Sequence, residues 1–272
     1  MKKNQFLFLI LIISVSCKQD KPKPVVVKEV TPLIEVKKKV VINDTISKEK
    51  KNQTEIEKID NELSVAFDKL NTNTDSIAKL FTKQLKKALL KEITFNNALT
   101  ELSKRIKIIT SSDNKIMFYS WDDKTGGTWH SINSLAQYKS ENGQVHVKQL
   151  NSKNEGNTGE FTDCSIYQVN KLSFDGKVFY LTMGWGTHGC GNQHDIVQVF
   201  RIVKSKLVKY KSFFPNNKDL AIEYPRQDKL NLKFDSKTNE ISYNEFKGKD
   251  QLYEPTGKTI ILTLINGVFR RK

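Results

Sequence analysis

Residues Met183 to Asp195 read MGWGTHGCGNQHD and lie at the centre of the β-rich part of the chain. They hold four glycines, two of the four histidines and one of the three cysteines of the protein. The apolar run from Ile196 to Val203 that follows is typical of a β-strand. We therefore expect a β domain to be built around this glycine-rich stretch.

The pattern of a β domain extends from Lys107 to the end of the chain. Apolar and polar residues alternate with a period of two, as they do in half-buried strands. Turn signals interrupt the runs at Asp113-Asn114, Asn142-Gly143, Asp175-Gly176 and Asn266-Gly267. Asn-Gly and Asp-Gly pairs accept the positive φ angles of tight hairpins. Residues 107–272 are predicted to form an antiparallel β domain, either a sandwich or a curled meander.

Residues 53–106 have a helical pattern instead, so the fold class that we expect is α+β. Thr54 and Glu57 fit a capping box at the start of a first helix. Apolar residues then recur at spacings of three and four. The predicted apolar faces are Ile56, Ile59, Leu63, Ala66, Phe67 and Leu70 in the first helix; Ile77, Leu80, Phe81, Leu85, Ala88 and Leu89 in the second; and Phe95, Leu99, Leu102 and Ile106 in the third. Stripes of this width favour packing within the domain.

The first 17 residues have the features of a targeting segment. Lys2 and Lys3 supply positive charge, and Phe6–Ile13 is an apolar run too short to span a bilayer, which needs roughly 20 residues. The following Ser14-Val15-Ser16-Cys17 resembles the lipobox of bacterial lipoproteins of the Bacteroidota type, with serine where leucine is commonest. The resemblance implies cleavage before Cys17, acylation of that cysteine with chains such as palmitate, and attachment to the outer membrane.

Residues 18–52 are rich in lysine and contain several prolines, so they are predicted to form a disordered tether. The whole chain has a net charge of +15, but only five of its 45 basic residues are arginine. Arginine is the better bidentate phosphate ligand, and the lysines are scattered, which argues against nucleic acid as a partner. The expected partners are the membrane, through the lipid on Cys17, and a glycan or an envelope protein.

Cys164 and Cys190 are the two cysteines that remain after lipidation of Cys17. In an exported protein they are predicted to form a disulfide bond, since that compartment is oxidising. One alternative is that both cysteines are free, buried thiols. The other is a zinc site formed by His188, Cys190 and His194, because zinc accepts nitrogen and sulfur ligands. Under the first interpretation the protein needs no metal or other cofactor.

A second loop, Trp121 to His130, carries further candidates for binding. Trp121 and Trp129 offer aromatic surfaces for a glycan, and Asp122 and His130 have the chemistry of an acid–base site. The other interpretation is a packed turn in which these residues are structural.

The Trp121–His130 loop also has a counterpart farther along the chain. Ser111–Ile116 is echoed by Ser173–Val178, and each copy precedes a glycine-rich loop. The echo predicts that this loop and the 184–194 loop lie at one end of the sheet.

The sequence lacks the common catalytic signatures, including GxSxG, HExxH, the P-loop and the dinucleotide fingerprint. No residue is therefore assigned a catalytic role, and His146 is interpreted as an ordinary strand residue. The candidate binding residues are Trp121, Asp122, Trp129, His130, His188, His194 and Asp195. The sequence favours a lipid-anchored envelope protein with a binding or structural role. The alternative is a metal-binding protein or metal-dependent enzyme that uses the 184–195 loop.

Overall fold

Four α-helices precede thirteen strands in the computed structural model, which describes residues 34–72, 75–125, 130–150, 163–187, 191–249 and 252–272. The helices are α1 Ile34–Asp68, α2 Asp75–Leu89, α3 Glu92–Asn96 and α4 Thr100–Ser103. The strands are β1 Lys107–Thr110, β2 Ile116–Asp122, β3 Ile132–Lys139, β4 Val145–Gln149, β5 Ser165–Phe174, β6 Lys177–Thr187, β7 Asn192–Val203, β8 Lys206–Lys209, β9 Leu220–Pro225, β10 Lys233–Asp235, β11 Glu240–Lys249, β12 Leu252–Ile265 and β13 Val268–Arg271.

The chain divides into two units, Met1–Ser47 and Lys48–Lys272, and the description below concerns the second. Its β-rich composition, with helices before the strands, confirms the predicted α+β class. Within the described ranges, no helix combines the length and the apolar character that crossing a membrane would require. The predicted targeting segment and residues 18–33 of the predicted tether lie outside the described residues.

The first helix begins earlier than the sequence pattern predicted. It starts at Ile34, so residues 34–52 of the predicted tether are helical, and no proline or glycine interrupts the run to Asp68. Lysine and glutamate, which are abundant here, are good helix formers. The predicted capping box is wrong, because Thr54 lies inside the helix and its hydroxyl donates to the carbonyl of Lys50 at 3.0 Å.

The apolar faces of the helices largely match the prediction. Ile56, Ile59, Leu63, Phe67, Leu70, Phe81, Leu85, Leu89, Leu99, Leu102 and Ile106 are all buried in one cluster. Leu80 is an exception, since it is 54% exposed. The predicted third helix is two short ones, α3 and α4, because Asn97 between them is extended, with φ −132° and ψ 143°.

Each of the four predicted turns joins consecutive antiparallel strands. Asn114 lies between β1 and β2, Gly143 between β3 and β4, Gly176 between β5 and β6, and Gly267 between β12 and β13; all have positive φ. In the β5–β6 and β12–β13 turns both central residues have positive φ, as in the hairpin turns that match strand twist. The turn signals were therefore read correctly.

The strands form three antiparallel sheets, each a meander in chain order. The first sheet has the order β1-β2-β3-β4, the second β5-β6-β7-β8, and the third β10-β11-β12-β13. Strand β9 joins the second sheet by pairing with the first half of β7, while β8 pairs with the second half of that strand. The long strand β7 therefore pairs with both β8 and β9 along the same edge.

The layers are held by three apolar clusters that follow the alternation of side chains along a strand. Tyr119 and Trp121 of β2 pack against the helices, whereas Ile116 and Phe118 face the second sheet. The opposite face of the second sheet packs against the third sheet and the short 3₁₀ segments at Lys211–Phe213 and Pro215–Asn217. The first and second sheets are therefore covered on both faces.

Polar side chains inside these layers are used as ties. Gln137 of β3 is fully buried, and its amide donates to the carbonyl of Leu89 at 2.6 Å and to the Thr94 hydroxyl at 3.1 Å. It also accepts a hydrogen bond from the Tyr119 hydroxyl at 2.7 Å. Because Leu89 ends α2, this one side chain fixes the helix end to the first sheet.

A second tie joins the first and second sheets. The hydroxyls of Ser120 and Ser134 lie 2.8 Å apart on neighbouring strands. Ser134 donates to the carbonyl of Cys164 at 2.7 Å, and Ser120 accepts from the backbone N–H of Ile166 at 3.0 Å. The two serines thereby satisfy buried backbone groups at the start of β5, which would otherwise lack partners.

Replacing Gln137 with alanine tests whether the buried amide fixes the helices to the first sheet. The change removes the Gln137 partner of the buried Leu89 carbonyl and leaves the Tyr119 hydroxyl only its 3.7 Å contact with the Met117 sulfur. A buried polar group that loses its hydrogen bond costs about 1–3 kcal/mol. We expect the free energy of unfolding to fall by about 2–5 kcal/mol in urea titrations. Gln84→Ala on the exposed side of α2 is the matched control and should change it by less than about 0.5 kcal/mol. Equal effects of the two changes would contradict the assignment.

Candidate functional site

His130, just before β3, contacts the end of β6, so one end of the first sheet meets the second sheet there. The backbone N–H of His130 donates to the Thr187 hydroxyl at 3.0 Å. The His130 imidazole also approaches the Trp185 indole, with ring centroids 6.2 Å apart and planes inclined by 47°. These contacts bring His130 to the end of β6. Residues 126–129 and 188–190 lie outside the described residues, so the predicted meeting of the two loops stays a prediction.

Asp122 and His130 form a hydrogen-bonded pair across the first loop. Asp122 is the last residue of β2, and its Oδ2 lies 2.5 Å from Nδ1 of His130. Its other oxygen accepts the backbone N–H of Lys124 at 2.8 Å, which fixes the carboxylate. The side chains of His130 and Asp122 are 42% and 31% exposed, so both are accessible to a ligand.

The neighbouring Asp123 has a different task, because its carboxylate closes the loop. It accepts hydrogen bonds from the Thr125 hydroxyl at 2.7 Å, the Ser131 hydroxyl at 3.1 Å and the Asn133 amide at 3.0 Å. These partners lie on both sides of the loop, as in a side-chain turn. Asp123 therefore supports the loop shape, and Asp122 is left for the contact with His130.

Trp185 connects the Asp122–His130 pair to the second sheet. It is half-buried on β6, and its indole N–H donates to the amide oxygen of Gln193 on β7 at 2.8 Å. Directly across the strand pair from Trp185 lies Asp195. The indole is thus held at its polar edge, while its ring lies beside His130.

Asp195 is 6% exposed, and burial raises its pKa to about 6. Hydrogen bonds donated by the Tyr167 and Tyr224 hydroxyls lower the pKa of Asp195 and so offset part of this rise. Tyr167 sits at a register irregularity of β5, between Ile166 and Gln168, and its hydroxyl lies 3.3 Å from Asp195 Oδ2. Such bulges redirect side chains. Asp195 is thus a predicted site residue that lies inside the sheet rather than on a loop.

Two further predicted binding residues, besides Asp195, are buried. Trp121 is 3% exposed and packs edge-to-face on Phe81, with ring centroids 5.4 Å apart. It precedes Asp122 on β2, so strand alternation turns it toward the helices. His194 is also 3% exposed and lies on β7 with its ring over Gly186. Both residues were assigned to loops, but the structure places them on strands with buried side chains.

Glycines of the Met183–Asp195 stretch make room for these neighbours. A Cβ on Gly184 would lie 2.5 Å from the sulfur of Cys164, and one on Gly186 would lie 2.5 Å from the His194 ring. Both glycines belong to β6, not to a loop. Their absent side chains allow β5 and β7 to bring bulky groups onto the strand.

Cys164 carries a free, buried thiol in this structure, so the predicted disulfide with Cys190 finds no support. Burial raises the pKa of the Cys164 thiol to about 12, which keeps it protonated and unreactive. Cys17, Trp129, His188 and Cys190 lie outside the described residues. The described part of the chain contains no group of three ligands that could hold a metal, and His194 faces the interior.

Sequence reasoning missed Trp185, Thr187, Gln193 and Tyr167 as members of this cluster. The first three belong to the quoted stretch or flank its turn, and their facing positions on β6 and β7 follow once a hairpin is assumed. Tyr167 carried no such signal, because a bulge decides where it points. His146 is the strand residue that we expected, with Nε2 3.1 Å from the Ser140 hydroxyl and its ring stacked on Tyr138.

Comparison with known proteins finds no matching family model, no similar curated protein and no similar solved structure. Function is therefore argued from the geometry of the chain itself.

Asp195 gives the stability of the protein a pH dependence that Asp195→Asn should remove. The folded-state pKa of about 6 lies above the ordinary 3.8, so folding favours the protonated acid. This contribution is complete below pH 3.8 and is lost as the pH rises through 6. Between pH 4 and pH 7 we expect wild type to lose about 2–3 kcal/mol of unfolding free energy relative to the variant.

The measurement is urea unfolding of both proteins across that pH range. Asp175→Asn, which removes an exposed carboxylate in the β5–β6 turn, is the matched control and should follow the wild-type profile. Parallel curves for wild type and Asp195→Asn would refute the proposed role of burial.

Proposed function

We propose that this chain is a lipid-anchored protein of the bacterial outer membrane whose β domain binds a glycan of the cell envelope. The anchor is argued from the charged and apolar segment that ends at Cys17. The binding site is argued from the contact between His130 and the end of β6, where Trp185, His130 and Asp122 lie together. That contact, made by the His130 N–H and the Thr187 hydroxyl at 3.0 Å, carries the proposal.

The anchor rests on several features of the first 17 residues. Lys2 and Lys3, the apolar run Phe6–Ile13 and the small residues before Cys17 follow the order of a cleaved lipoprotein signal. Several acyl chains on one cysteine supply about 0.8 kcal/mol per buried CH₂, which is enough for stable attachment. The many lysines of the chain would add a loose attraction to anionic headgroups or glycans.

The choice of a glycan rests on the groups that the loop end presents. Trp185 offers an apolar ring surface with its N–H already bonded, so the ring is held in place without using a ligand group. Asp122 and His130 supply hydrogen-bonding groups that remain partly exposed beside it. A sugar ring needs this combination, because it has an apolar face and a rim of hydroxyls. The charge of the site also favours a glycan over a phosphate, because the Asp122 carboxylate at its centre would repel an anion.

Cys17→Ser tests the anchor. The variant lacks the thiol that would be acylated, so we expect it to leave the detergent-soluble membrane fraction or to stay unprocessed, whereas wild type is membrane-bound and shorter than its precursor. Cell fractionation and intact mass measure both properties. Cys164→Ser, which alters a buried thiol, is the control and should leave fractionation unchanged. Membrane attachment of Cys17→Ser equal to wild type would remove the lipid anchor from the proposal.

Trp185→Ala tests the binding site. The full chain, purified in detergent, is applied to an array of bacterial surface polysaccharides and peptidoglycan fragments. Loss of aromatic contact is worth about 0.5–1.5 kcal/mol, so we expect affinity to fall about 3- to 10-fold, with Trp185→Phe in between. Leu252→Ala, at a residue that is 78% exposed, is the control and should bind as wild type. Failure of wild type to bind any glycan would contradict the proposal.

A further inference from the structure

We propose that Asp122 and His130 form a general-base dyad, so that the loop end is a hydrolytic site for acyl esters carried by a hydroxyl-rich ligand. The ligand class rests on the proposed glycan binding, whereas the base rests on the dyad alone. The sequence offered Asp122 and His130 as residues with acid–base chemistry but contained no catalytic motif, and their direct contact is seen only in the structure.

The geometry assigns the protons within the dyad. An ionised carboxylate only accepts hydrogen bonds, so its contact with Nδ1 at 2.5 Å places the ring proton on Nδ1. The lone pair then lies on Nε2, which makes no hydrogen bond to any residue that the structure describes. A carboxylate behind an imidazole also stabilises the imidazolium that forms when Nε2 accepts a proton. The dyad therefore has the polarity of a base that is directed outward.

The pair is not needed to hold the loop together. Asp123 performs that task with its bonds to Thr125, Ser131 and Asn133. Exposed ion pairs contribute only about 0–1 kcal/mol to stability, and both side chains of the dyad are partly exposed. The Asp122–His130 contact therefore contributes little to stability, although the Asp122 carboxylate is held in place. This combination is typical of a functional site.

Two further contacts position the base. The backbone N–H of His130 is fixed to Thr187 of the second sheet, and the Trp185 ring flanks the imidazole. Lys124 N–H holds the free oxygen of Asp122. The imidazole is thus fixed from both sheets, which is the preorganisation that proton transfer requires. His146 is the contrasting case, since its Nε2 is already bonded to Ser140 and no carboxylate pairs with its ring.

The reaction that uses one base and one water is ester hydrolysis. His130 Nε2 accepts a proton from water as the water oxygen bonds to the carbonyl carbon. The bond from that carbon to the alcohol oxygen then breaks, and the alkoxide takes the proton back from the imidazolium. Carboxylic acid and alcohol are the products, and no oxidant, reductant or further reactant is consumed. General-base assistance of this kind contributes typically 10²–10⁴-fold to a rate.

The test is hydrolysis of p-nitrophenyl acetate by the full chain in detergent, followed by the absorbance of the released p-nitrophenolate at about 405 nm. Circular dichroism checks that each variant is folded. We expect the second-order rate constant to fall about 10²-fold in His130→Gln and at least about 10-fold in Asp122→Asn. His146→Gln, the matched control, should react as wild type. A slower wild-type reaction in D₂O is expected from proton transfer in the rate-limiting step.

Three outcomes would overturn the dyad. The first is an unchanged rate in His130→Gln. The second is an acetylated protein in intact mass spectra, since that shows attack by a side chain rather than by water. The third is a ¹⁵N NMR spectrum of His130 in which the proton resides on Nε2. Glycan binding by wild type is measured separately. Hydrolysis without any glycan binding refutes the glycan and keeps the base, whereas glycan binding with an unchanged hydrolysis rate in His130→Gln refutes only the base.

Discussion

Burial of both faces of the first sheet is the constraint on which the rest of this protein depends. Helices cover one face and the second sheet covers the other, so polar groups in the middle of β2 and β3 cannot rely on water. Gln137 satisfies this condition toward the helices, and Ser120 and Ser134 satisfy it toward β5. Unpaired polar groups at these depths would cost more than the apolar contacts around them provide. The layers are consequently held in one register.

The fixed packing of the sheets determines which side chains are accessible to a ligand. Because the first and second sheets are fixed face to face, His130, just before β3, contacts Thr187 at the end of β6. Side chains that point into the layers, such as Trp121 and His194, are used for packing. The Asp122–His130 pair lies at the end of β2 and just before β3, and both of its side chains remain partly exposed.

Much of the fold could be read from the chain, and the candidate site only in part. Asp175-Gly176 and Asn266-Gly267 predicted hairpins correctly, because positive φ is a local requirement. The sequence did not distinguish the two possible roles of Trp121. An aromatic residue at the end of a strand has the same sequence neighbours whether its side chain packs inward or binds a ligand. Cys164 was paired with Cys190 on the basis of compartment, yet in the structure its thiol is accommodated by the missing side chain of Gly184. The contact between Cys164 and Gly184 joins two segments that are distant in the chain, so the sequence of neither segment predicts it by itself.

The sequence by itself determined the α+β class, the meander of hairpins and the apolar faces of the helices, since periodicity and turn preferences act over a few residues. It also contains the features of a lipoprotein signal at Cys17, which are read from order and composition. Tertiary structure alone decided that Gly184 and Gly186 of the opening stretch lie in a strand and make room for Cys164 and His194. It alone brought Asp122 to His130 and both to Trp185. The physical reason is that side-chain direction and close packing depend on partners distant in the chain, which local preference does not specify.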